Sequence, residues 1–117
     1  MDINVVVLTG NVTADSKLLK IGEGKHALNF AVACNMGTKL NGEKDTTYFD
    51  CVMYDNYAKA MEPHIKRGRG LTLQGTQKEN HYINADGKKV THKYVVVGSL
   101  KLAPKKEVTD EKSNSDA

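Results

Sequence analysis

The chain has 117 residues, of which 39% are hydrophobic and 26% charged. That is enough for one domain with a single core, and too apolar for wholesale disorder. The net charge of +3 permits a polyanionic partner without demanding one. No apolar run approaches the roughly 18 residues of a membrane helix, and Met1-Asp2-Ile3-Asn4 lacks the positive patch, apolar stretch and small-residue cleavage site of a secretion signal. A cytoplasmic, non-membrane protein is expected. Cys34 and Cys51 are too few for a disulfide scaffold and too far apart for a zinc motif, and both lie in apolar stretches, so they read as buried free thiols.

In chain order, apolar residues alternate with polar ones between Gly- and Asn-containing turns, the pattern of strands. A first strand is predicted over 3–12, bent at Gly10, with a short continuation over 17–21 before Gly22-Glu23-Gly24. A second runs over 26–35. Leu28, Phe30, Val32 and Cys34 alternate onto one face, and Ala27, Asn29, Ala31 and Ala33 onto the other, so the bulky side should curl inward. Asn41-Gly42 signals a hairpin tip. The third strand, 46–54, places Phe49, Cys51 and Met53 opposite Tyr48, Asp50, Val52 and Tyr54.

Asp55 is then placed to cap a helix over 56–67, with Tyr57, Met61 and Ile65 on one stripe and Pro63 kinking or splitting it. The fourth strand covers 69–80. A long hairpin with its tip at Asn84-Ala85-Asp86-Gly87 leads to a fifth strand over 90–102, ended by Pro104. Residues 104–117 hold one large aliphatic residue, Val108, and read as a disordered tail. The body, 1–103, has a charge balance of +4 and the tail −1. Five strands with one helix between the third and fourth is the order of an all-β OB-fold barrel, a fold that holds oligonucleotides on its second and third strands and adjoining loops.

Nothing in the chain looks catalytic. The hydroxyl and thiol candidates, with His26, His64, His81 and His92, form no G-x-S-x-G or H-E-x-x-H signature. No two histidines share metal-ligand spacing, and neither Gly-rich pair completes a phosphate loop. No enzyme activity, metal or cofactor is expected.

A single-strand site needs outward aromatics at even spacing with lysines alongside. Tyr48 and Tyr54, six residues apart on one strand, meet that rule, although a core role is equally open from spacing alone. Tyr82 lies beside a polar turn with little core to enter, and Lys78, Lys88 and Lys89 surround it. Lys39 and Lys44 occupy the loop before Tyr48.

Over residues 3–103 the chain resembles the bacterial-type single-stranded DNA-binding (SSB) proteins. The likeness rests on Asn4-Val5-Val6-Val7-Leu8-Thr9-Gly10-Asn11 with Asp15, on Leu28-Asn29-Phe30-Ala31-Val32-Ala33, and on Thr47-Tyr48-Phe49-Asp50-Cys51-Val52-Met53-Tyr54. Lys66-Arg67-Gly68, Gly75, and Tyr82 before Asp86-Gly87 complete it. The resemblance implies bases stacked on Tyr48, Tyr54 and Tyr82, a homo-oligomer (usually a tetramer, with a dimer as the lesser form) and roles in DNA replication, recombination and repair.

Four departures stand out. Met36-Gly37-Thr38 replaces the stretch where the family usually has a Trp, leaving Met36 as the substitute platform. Tryptophan is absent throughout. Asp50 stands at a position often basic in the family, where a carboxylate repels phosphate. The tail ends Ser115-Asp116-Ala117 without the family's acidic-apolar tip, so replication or recombination proteins are not expected to be recruited by that route. A phage- or plasmid-encoded member fits these features. Two rivals are an OB-fold adaptor that mainly contacts protein, and an RNA binder of the cold-shock or ribosomal type, often with Gly-Phe-Gly-Phe motifs that this chain lacks.

Overall fold

The computed structural model describes residues 1–104; the expected tail beyond Pro104 lies outside them. The strands are β1 (Val6–Val12), β2 (Lys17–Gly22), β3 (Lys25–Thr38), β4 (Lys44–Tyr54), β5 (Gly70–Ile83) and β6 (Lys89–Leu102), with α1 (Asp55–Met61) between β4 and β5. The order across the sheet is β1-β5-β6-β4-β3-β2, and β1 also pairs with β3. That second pairing closes β1, β5, β6, β4 and β3 into a five-stranded barrel and leaves β2 as a flap on β3. Closure removes the free edges that an open sheet must protect. All pairings are antiparallel except β4 with β6, where Cys51 and Val52 lie opposite Val95 and Val96.

Two glycines make the barrel's corners. At Gly10, β1 passes from β5 to β3, and a Cβ there would collide with the Ala33 carbonyl oxygen. At Gly75 the β5–β6 ladder slips by one residue, and a Cβ would collide with the Val96 carbonyl oxygen. Only a residue without a side chain lets the strands cross this closely.

The core is built from alternate residues. Leu28, Phe30, Val32 and Cys34 of β3 and Cys51 and Met53 of β4 are buried with Leu8, Val12, Leu71, Leu73, Val95 and Val97. The bulky face of β3 does curl inward. Ala58 and Ile65 are buried too, and Tyr57 and Met61 pack against the same cluster, so the helical segment plugs the barrel on the stripe its spacing suggested.

Four local expectations are corrected. The first strand begins at Val6 rather than residue 3. The second and fourth strands run on to Thr38 and Ile83, because hairpin partners extend each ladder past the barrel. The α-helix ends at Met61, and a separate 3-10 turn (Glu62–His64) holds Pro63 in its first positions, where a missing N–H costs nothing. Asp55 does not cap the helix. The cap position is Tyr54, whose side chain makes no capping bond, while Asp55 takes a left-handed φ of 56° and its Oδ1 accepts from the His26 N–H at 3.3 Å. Its carboxylate thus ties the helix entrance to β3.

Candidate nucleic-acid interface

Because Cys51 and Met53 point into the barrel, alternation turns Tyr48, Asp50 and Tyr54 outward; Val52 shares their side of the strand but is buried. Tyr48 is 67% exposed and Tyr54 41%; neither is a core residue. Their partners across β3 are small: Ala33 lies opposite Tyr48, Ala31 opposite Asp50 and Ala27 opposite Tyr54. Ala31 and Ala33 are partly open beside Tyr48 and Asp50, while Ala27 beside Tyr54 is buried.

The face continues on both sides. Leu19 of β2 pairs with Ala27, and Lys17 with Asn29, so an exposed leucine and a lysine border the Tyr54 end. On β6, Val95 and Val97 are buried, which puts His92 and Tyr94 outward beside β4. The His92 and Tyr94 rings stack at 6.0 Å with 28° between their planes. Burial first, and then the Tyr94 phenol, raises the Tyr54 phenol above its ordinary value. The outer face of β5 adds Lys78 opposite Tyr94, Asn80 opposite His92 and Tyr82 opposite Val90. A groove of about 570 Å³ follows this surface, lined among others by Ile21, Asn29, Tyr54, Asn80, His92 and Tyr94.

The site residues named from sequence divide accordingly. Tyr48, Tyr54 and Lys78 fall on the continuous face, and Tyr82, 52% exposed, extends it along the β5–β6 ribbon. Lys39 and Lys44 are exposed at the β3–β4 hairpin, where Lys39 N–H donates to the Glu43 carbonyl and Lys44 pairs with Thr38. Met36 is exposed where the ladder slips between Asn35 and Thr38, so alternation assigns it to neither face. Lys88 is held in the turn by its backbone N–H donating to Asn84 Oδ1. Lys89 pairs with Ile83, which turns it to the side of the ribbon away from Tyr82.

The sequence does not assign Tyr94, Asn80 or Lys17 to this face, and it brings in His92 only among the histidines weighed for catalysis. The run Tyr94-Val95-Val96-Val97 is apolar throughout, so its period did not reveal which residues face out. The parity of Lys78 and Tyr82 would have found Asn80.

Asp50, the feature least suited to a phosphate-binding face, has a partner. His92 Nε2 lies 2.8 Å from its Oδ2. A carboxylate only accepts, so Nε2 carries the proton and donates. Among the described residues, no three His, Cys, Asp or Glu side chains gather as a metal site, and no helix is long and apolar enough to cross a membrane.

A closed five-stranded barrel with a parallel β4–β6 pairing, a plugging helix between β4 and β5 and an aromatic outer face defines an OB-fold protein of the oligonucleotide-binding type. A model of the single-strand binding protein family matches residues 3–103, and the chain belongs to that family. It is 30% identical over 118 residues to the single-stranded DNA-binding protein of Borreliella burgdorferi, covering 98% of this chain and 79% of that protein. It is 27% identical to the Enterococcus faecalis single-stranded DNA-binding protein, spanning 94% of this chain but 59% of that longer protein. A Plasmodium falciparum SSB, solved in complex with ssDNA, superposes with a TM-score of 0.79 at 17% identity, covering 89% of this chain and 97% of that one; at that identity the likeness speaks for the fold.

Proposed function

We propose that the protein binds single-stranded DNA without strong sequence preference, protecting it during replication, recombination and repair. Bases lie on Tyr48, Tyr54, Tyr82 and Tyr94, and lysines along the rim hold phosphates. The observation that carries this reading is the set of exposed rings Tyr48, Tyr54 and Tyr82 on the outer surface, with the small, partly open Ala33 opposite Tyr48. A large residue at Ala33 would fill the space beside that ring, whereas a base needs it open. Family membership supports the same reading. The work is binding, with no chemical step, and needs no cofactor.

All five tyrosines and no tryptophan contribute to intrinsic fluorescence. Titration with oligo-dT should quench it, since stacked bases sit on the rings. An unchanged signal, with an RNA oligomer or a replication protein binding instead, would refute the assignment.

The assembly is proposed to be a homo-oligomer, with a tetramer favoured over a dimer. Ile3, Val5 and Val7 are 91%, 56% and 65% exposed along β1 and the segment before it. That segment is anchored, because Asn4 Nδ2 donates to the Gln77 carbonyl at 2.8 Å and Gln77 N–H returns a bond to Asn4 Oδ1. An ordered, uncovered apolar stripe is a surface for a second copy. Val7→Lys should lower the mass in solution, and an unchanged mass would exclude this stripe as the contact.

A further inference from the structure

Asp50 occupies the middle of the stacking face. Tyr48 is two residues back on the same strand, about 7 Å away at strand spacing. Tyr94 stands level with it, one step back along both strands from the Cys51–Val95 pair. The Asp50 side chain is 59% exposed, Oδ2 accepts from His92, and Oδ1 has no hydrogen-bond partner among the described residues. A phosphate cannot settle there, because an ionised carboxylate repels it. The cations of the face, Lys78 beyond Tyr94 and Lys17 beyond Asn29, sit toward its borders. The backbone is therefore driven to the rims, and what meets Asp50 is the edge of a stacked base.

On the single-strand-binding reading just given, we propose that Asp50, oriented by His92, accepts a hydrogen bond from the exocyclic amine of cytosine or adenine, making this position of the face favour cytosine and adenine over thymine and uracil. The chemistry is complementary. Cytosine offers an N4 amine to an acceptor, while thymine and uracil offer O4, a second acceptor facing the first. His92 contributes by fixing the carboxylate: its Nε2–H occupies Oδ2, and its ring is braced against Tyr94, so Oδ1 is held ready instead of swinging into solvent.

The test compares oligo-dC with oligo-dU, of equal length, about 16 nucleotides, which is one OB-fold footprint at its upper end. These polymers share ring size and lack the thymine methyl, and differ at the 4-position. Affinities are measured for the parent and for Asp50→Asn, an exposed and isosteric change whose fold is checked by circular dichroism. Asn presents both a donor and an acceptor, so it accommodates either edge. Both oligomers should bind the variant more tightly, because the repelling charge is gone, and the dC-to-dU affinity ratio should fall about five- to tenfold. An unchanged ratio with a uniform gain would overturn the proposal and reduce Asp50 to a charge. Failure of the parent to bind either oligomer would instead defeat the single-strand-binding reading itself.

Discussion

The inner and outer faces of β3 and β4 are made from the same strands and obey opposite rules. Inward, Leu28, Val32, Cys51 and Met53 are at most 2% exposed, and their size is dictated by the space between strands. Outward, Ala27, Ala31 and Ala33 lie beside Tyr48, Asp50 and Tyr54, a small row against a row of rings and a carboxylate. Packing explains the first set completely. It does not explain the second, since exposed rings next to methyl groups do little for the barrel. Residues that the fold does not require are where binding is to be sought, and this separation can be broken experimentally by altering one face at a time.

The largest effect belongs to the inner face. Met53→Ala should cost about 2–5 kcal/mol of stability by opening a cavity in a fully packed core, read by urea denaturation, whereas Tyr54→Ala at the next residue should cost far less. A loss for Tyr54→Ala equal to that of Met53→Ala would erase the distinction between the faces. Gly75→Ala, which forces a methyl group against the Val96 carbonyl, should destabilise by about 1–3 kcal/mol or more, again without touching the outer surface.

On the outer face the signs reverse. Tyr48→Ala and Tyr82→Ala should leave the urea midpoint nearly unchanged while each weakens oligo-dT binding by about 1–3 kcal/mol. A pH experiment sharpens the inner side further. Burial, followed by Asp50 and Cys34, pushes the Cys51 thiol up to about 12. The folded chain keeps that proton where the unfolded thiol releases it, near pH 8.5. Stability from this group is therefore full below about pH 8.5 and declines as pH rises toward 12. Cys51→Ala should flatten that part of the curve. The smallest effect is electrostatic: Lys78→Ala should reduce the slope of log K against log salt by about 0.7, one phosphate's share on a single strand.

The barrel was legible because its strands alternate and its turns carry Asn-Gly and Asp-Gly. Leu28, Phe30, Val32 and Cys34 announced an inner face by period alone, and Tyr48 and Tyr54 followed from the parity of Phe49, Cys51 and Met53. What stayed hidden depended on contacts distant in sequence or on local backbone geometry. The Asp50–His92 bond joins residues 42 apart through a parallel pairing, and no local pattern carries that. Asp55 had the right side chain to cap a helix, but its left-handed backbone and its bond to β3 put it to another use. The extension of β3 and β5 beyond the barrel was missed because each strand's end is set by its hairpin partner, not by its own polar residues.

The outer face is tested most directly by combining Tyr48→Ala, Tyr54→Ala and Tyr82→Ala in one chain and measuring oligo-dT affinity beside a urea melt. If these rings are stacking platforms, affinity should drop by at least about a hundredfold, the equivalent of three stacked bases at the low end of their range, while the midpoint of unfolding stays close to the parent's. Parental affinity in the triple variant, with the fold intact, would show that the tyrosines do not hold the DNA.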